Sequence, residues 1–224
     1  SAASSDYPLR DVYKRQHGFI GAAGHVAVPV AVPATLSAAL QASLERHAAR
    51  PALRAHGRTL RYAELEAASR ALAGFWQQRG LAPGDRLAVM LPGELALPVA
   101  VLSAWRAGLV VVPVDPQLAG EALLHQLRDS GARAIVAAAD CAPALAPVLE
   151  ALRLPLVVVA GPGELLGPMR AALRRHRQGP RPAPPPLPEA VAFGAALVRG
   201  RAVTLSTPPA RPDDIAALPN TRGT

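Results

Sequence analysis

An α/β fold, with parallel-sheet layers flanked by helices, is predicted by three observations. Short apolar runs rich in valine alternate with amphipathic stretches of ten or more residues between positions 86 and 159. Glycine, proline or aspartate marks nearly every boundary between them. Strands joined through helices argue for crossover connections and a parallel sheet covered on both faces. Half of the 224 residues are hydrophobic but only 4% are aromatic, so the core must be built mainly from Ala, Val and Leu.

Thr35 is a candidate N-cap, and Leu36, Leu40 and Leu44 follow at helical spacing until Pro51 ends the run. Ala52–Ala55 and Thr59–Arg61 flank His56-Gly57 and read as a hairpin. Apolar positions 62, 65, 68, 72, 75 and 76 form a helical stripe from Tyr62 to Arg79, closed by Gly80. Within it and beyond, Tyr62, Trp76 and Trp105 sit among aliphatic residues and read as core. After the turn Leu81–Asp85 come strand Arg86–Leu91, helix Glu94–Ala107 with Gly108, and strand Val110–Val114 ending at Asp115-Pro116. Helix Glu121–Ser130, strand Arg133–Ala138, helix Pro143–Leu152 and strand Leu156–Val159 continue the alternation.

Four regions are expected. Residues 1–30 have the texture of adaptor or linker sequence, and Gly18–Val32 only mimics a secretory signal because Pro29 and Pro33 interrupt it. Residues 31–177 form an α/β subdomain, 178–188 a proline-rich connector favouring extended polyproline geometry, and 189–224 the start of the next subdomain.

The formal charge of +8 and a pI near 11.1 raise the question of a nucleic-acid partner. Arginines scattered singly through an Ala- and Pro-rich chain argue against one. The histidines at 17, 25, 47, 56, 125 and 176 include no pair at metal-ligand spacing, so no metal site is assigned. The lone Cys141 reads as a core or helix-start residue and fits a reducing, cytoplasmic compartment. No run of 18 apolar residues marks a membrane span. Gly163–Arg177 reads as a helix whose Arg170, Arg174, Arg175 and Arg177 face solvent; the rival reading rests that face on an anionic membrane surface. Gly161-Pro162-Gly163-Glu164 and Gly21-Ala22-Ala23-Gly24 lack the G-x-G-x-x-G spacing and read as turns. No G-x-S-x-G elbow is present.

At the C-terminal end, Asp213-Asp214-Ile215-Ala216-Ala217-Leu218 leads through Pro219-Asn220 into Thr221-Arg222-Gly223-Thr224. An acidic turn and an apolar run feeding a Thr/Gly cluster is one way to present backbone N–H groups to phosphate. Thr59–Leu65, Gly80–Pro92, Arg106–Gly108 with Val112–Pro116, and His125–Val136 join this ending in an order and spacing similar to AMP-forming adenylating enzymes, the acyl-CoA synthetase and ligase superfamily. His125–Val136 looks especially like long-chain fatty-acid CoA ligases. The resemblance implies the N-terminal part of that family's large domain, stopping within the loop that holds the ATP phosphates, with Thr221, Gly223 and Thr224 on the first loop positions. Arg222 stands where the pattern expects a small residue, and Asp115 replaces the common Asn.

The same resemblance implies a two-step reaction. A fatty-acid carboxylate attacks the α-phosphate of Mg-ATP, releasing pyrophosphate; the thiol of coenzyme A then attacks the acyl-adenylate and releases AMP. The family's metal ligand, adenine-binding segment and C-terminal lysine find no counterpart, since Lys14 is the only lysine. No catalytic residue is therefore assigned, and the chain by itself is expected to bind ATP, Mg2+ and coenzyme A poorly and to be inactive. An amino-acid or aryl-acid adenylating enzyme fits the same residues, as does a non-catalytic nucleotide-binding or interaction module.

Overall fold

The computed structural model of the chain describes residues 35–178, 187 and 189–220, apart from the side chains at 168, 175, 177 and 178. The expected adaptor 1–30, most of the proline-rich connector, and Thr221, Gly223 and Thr224 lie outside the described residues.

Helix α1 (Leu36–Arg46) starts where its cap predicts: Thr35 Oγ1 accepts a hydrogen bond from Ala38 N at 3.2 Å. Strands β1 (Pro51–Ala55) and β2 (Arg58–Arg61) form the hairpin. Its turn residues His56 and Gly57 have φ of 48° and 74°, the positive pair that matches strand twist in a two-residue connection. Helix α2 (Tyr62–Gln78) buries Leu65, Leu72, Phe75 and Trp76 along one stripe. Tyr62 and Trp105 are only partly buried, packed at the margin of that core, whereas Trp76 is fully enclosed.

The sheet follows as β3 (Arg86–Met90), β4 (Val110–Pro113), β5 (Ala132–Ala138), β6 (Leu156–Ala160) and β7 (Val191–Ala192), all parallel, in the order β4-β3-β5-β6-β7. Between them run α3 (Ala96–Arg106), α4 (Gly120–Asp129), α5 (Ala142–Leu152) and α6 (Pro168–Gln178), and α7 (Phe193–Arg201) follows β7. Side-chain alternation supplies two cores. Leu87, Val89, Ala134, Val136 and Val158 face α2, α3 and α7; Ala88, Met90, Ile135, Ala137 and Val157 face α4 and α5. With both faces covered, the strands read as continuous apolar runs.

The chain beyond the proline-rich stretch returns to this sheet. Strand β7 pairs with β6, and α7 crosses α2 so closely that a Cβ on Gly200 would lie 1.8 Å from Ala71 O. The Gln77 side chain then holds Ser206 through two hydrogen bonds, Nε2 donating to its carbonyl and Oε1 accepting from its N–H at 3.1 Å.

One expected element changes. The helix read over Gly163–Arg177 begins only at Pro168. Gly163, Leu165 and Gly167 have φ of 86°, 65° and 81°, and a left-handed residue every second position cannot propagate a right-handed helix.

Candidate functional site

Strand β3 is flanked by β4 on one side and β5 on the other, so the direction of winding reverses between β3 and β5. In open parallel sheets the crevice beyond the carboxyl ends of the strands at this reversal is the usual ligand position. Here it is lined by Leu91, Pro92 and Glu94 after β3, by Ala139 and Asp140 after β5, and by Gly161 and Pro162 after β6. Its volume of about 40 Å³ holds a few waters but not a nucleotide.

The crevice is narrow because α6 is fastened across it. Arg174 donates from Nη1 to Glu94 Oε2 at 2.8 Å and from Nη2 to Glu94 Oε1, a bidentate pair with both side chains mostly buried. His56, at the hairpin tip, stands 3.9 Å from the same carboxylate. The Arg174 hydrogen bonds hold Glu94 below the usual carboxylate range, against the opposing effect of burial. Glu164 moves the other way: burial raises it, while its Oε2 accepts from Gly161 N at 3.3 Å.

This arrangement corrects the reading that all four arginines face solvent. Arg170 is exposed, but the Arg174 side chain is only 17% exposed and points into the crevice. The side chains of Arg175 and Arg177 lie outside the described residues. The physical reason is a long-range partner: Glu94 is eighty residues upstream, and a buried carboxylate draws in the guanidinium opposite it.

The second feature is the approach to Thr221. Val111 N donates to Ala216 O at 3.1 Å and Leu218 N to Val111 O at 2.8 Å, a parallel bridge centred on Ala217 at the free edge of β4. Trp105 Nε1 donates to the same Ala216 carbonyl at 2.8 Å. Residues 216–218 therefore run with β4 toward the carboxyl ends of the strands. Thr221, Gly223 and Thr224 follow directly in sequence and lie outside the described residues.

The motifs that drew attention in the sequence are brought together as scaffold. Asp85 closes the Pro83-Gly84 turn by accepting from Ala82 N at 2.8 Å, and it pairs with Arg133 at 2.8 Å. Gly84 N donates to Gly108 O at 2.8 Å, and Arg86 Nε to Ser130 O at 2.9 Å. Gln126 Nε2 donates to Pro113 O at 2.9 Å. Asp115 Oδ1 accepts from Gln117 N at 2.9 Å, a role an Asn oxygen fills equally well. Cys141 is buried at the start of α5, and burial pushes its thiol up. Among the described residues no cluster of His, Cys, Asp and Glu could hold a metal ion, and no helix is long and apolar enough to cross a membrane.

Residues 40–224 match the family model of the AMP-binding enzymes. The chain belongs to the AMP-binding enzyme family. Within it, the chain is 36% identical over 181 residues to a long-chain-fatty-acid–CoA ligase of Escherichia coli O157:H7, covering 79% of this chain and 32% of that protein. A long-chain-fatty-acid–CoA ligase of Haemophilus influenzae is 34% identical over 179 residues, covering 78% and 32%. The chain thus spans about a third of the length of these relatives. In fold it is similar to the adenylation domain of a carboxylate reductase from Mycobacterium chelonae, with a TM-score of 0.65 and 21% identity over 84% of this chain and 32% of that one.

Sequence reasoning found this AMP-binding fold and missed Glu94, Arg174 and His56 as partners. The only local sign was an acidic residue directly after the β3 turn, where strand ends at a sheet reversal gather functional groups.

Proposed function

We propose that this chain is the N-terminal scaffold of an ATP-dependent ligase that activates long-chain fatty acids as acyl-adenylates and passes them to coenzyme A. The observation that carries this is the edge pairing of residues 216–218 with β4. It lays an extended segment along the sheet and aims it at the carboxyl ends just before the Thr/Gly cluster. Backbone N–H groups of Thr221, Gly223 and Thr224 would then contribute to holding the ATP phosphates, with Trp105 and Val111 fixing the segment that delivers them. Such donors lower the barrier only if held in place before the charge develops on the phosphate. Mg2+ would neutralise phosphate charge when bound. The fatty-acid preference is drawn from the ligases that share 34–36% identity with the chain.

The only lysine, Lys14, lies outside the described residues, and among those described there is no metal cluster. Incubated with ATP, Mg2+ and palmitate, the purified 224-residue chain is expected to release no pyrophosphate above background. Palmitate-dependent release by that chain would overturn the scaffold reading. An amino-acid or aryl-acid ligase would show itself in the complete gene product as exchange supported by those acids instead of palmitate.

Contact with an anionic membrane through the arginine-rich helix α6 extends the same reading, now without Arg174. Arginines near an anionic surface each contribute about 1 kcal/mol, screened by salt. Replacing Arg170, Arg175 and Arg177 by Gln is expected to weaken co-sedimentation with phosphatidylglycerol vesicles at low ionic strength. Unchanged co-sedimentation would remove the membrane role.

A further inference from the structure

Among its described residues, helix α6 is held mainly by charge rather than by packing. A surface helix is ordinarily seated by an apolar stripe pressed into the core. None of the described side chains of α6 is buried, and its large apolar residues Met169 and Leu173 are 84% and 49% exposed. What the described residues supply instead is Arg174, through its bidentate pair with Glu94 after β3. Those hydrogen bonds hold the guanidinium above its ordinary value, and the charge of Asp140 after β5 adds to that. Arg174 thus feels carboxylates from both sides of the sheet reversal.

The chain entering α6 is shaped to turn. Leu166 is 2% exposed and anchors the segment in the core, while Gly163, Leu165 and Gly167 around it hold positive φ. A Cβ on Gly163 would lie 3.0 Å from Ala171 Cα, so the first turn of α6 folds back against the segment that leads into it. A short irregular stretch fixed at one point is where a hinge absorbs backbone rotation.

We propose that α6 is a hinged strap over the switch-point crevice, pivoting on residues 163–167 and latched shut by the Glu94–Arg174 pair. Closed, it leaves about 40 Å³, room for a few waters. Released, it uncovers the ends of β3, β5 and β6, where a parallel sheet takes its ligand. Elements that open for ligands are drawn from the least stable parts of a fold, and a helix seated on an ion pair is such a part. The strap depends on neither the fatty-acid reading nor the membrane reading.

Amide hydrogen exchange on the 224-residue chain tests it. E94Q and R174Q should each speed exchange across residues 171–176 by about tenfold or more, as loss of a charge-assisted pair predicts. The Gly161 amide, bonded to Glu164 in the pivot, should speed up with them. R174K keeps the charge without the two-bond geometry and should fall between. R170Q, on an exposed side chain of the same helix, should change nothing. Amides of α4 should exchange as in the original chain in every variant, which shows the fold intact. R174Q alters a helix outside both cores and decides the matter if E94Q does not fold. Unchanged exchange over 171–176 in R174Q or in a folded E94Q, an equal rise in R170Q, or a rise in α6 with Gly161 unmoved would each overturn the proposal.

Discussion

Trp76 illustrates how much a single residue states and withholds. Its place in an apolar stripe announces burial, and it is fully buried, but its indole N–H needs an acceptor that no local pattern names. The acceptor is Ser103 Oγ at 2.9 Å, on the next helix, itself donating to Ala100 O at 2.7 Å. Ser103→Ala strands a buried donor and is expected to lower unfolding free energy by about 1–3 kcal/mol, measured by urea denaturation. A loss no greater than that of an exposed Ser→Ala change would contradict this. Glu94 gives a second residue-scale prediction, this time in pH. Its carboxyl is held below its ordinary value of 4.5, so the ion pair with Arg174 contributes stability at neutral pH that disappears as pH falls through the folded value. The Tm of the original chain should exceed that of E94Q at pH 7, and the gap should close below about pH 4.5. A gap independent of pH would show that the pair contributes nothing through charge.

Elements with a strong period were legible, and elements defined by distant partners were not. The strands β3 to β6 and the helices between them follow from valine runs, glycine stops and the Thr35 cap, all local physics. The left-handed residues Gly163, Leu165 and Gly167 were not visible as helix breakers, because Leu165 gives no sign of positive φ; hence α6 begins later than its composition suggests. The α2–α7 crossing was equally hidden. Gly74 and Gly200 look like ordinary helix-weakening glycines, yet Gly200 lies against the α2 backbone at Ala71 and Phe75. Gly200→Ala is expected to destabilise by about 1–3 kcal/mol or more, despite the better helix propensity of alanine. A neutral or stabilising effect in thermal unfolding would mean that the two helices separate at little cost.

For the molecule as a whole, the switch-point crevice and the β4 edge offer different things. The crevice, where doubly wound sheets usually take their ligand, is closed by α6 through Arg174. The edge strand carries the segment that leads to Thr221. The family was legible because its motifs are scaffold: Asp85 pairs with Arg133, Arg86 bonds Ser130, Gly108 bonds Gly84 and Gln126 bonds Pro113, so their spacing is fixed by geometry. The substrate was not, since none of these scaffold bonds depends on the acid to be activated. The central claim is that this scaffold serves fatty-acid activation. Its most direct test is ATP–pyrophosphate exchange by the complete gene product, with palmitate, benzoate and the common amino acids offered in parallel. The account predicts exchange with palmitate and none above background with the others; exchange supported by an amino acid or benzoate but not by palmitate would contradict it.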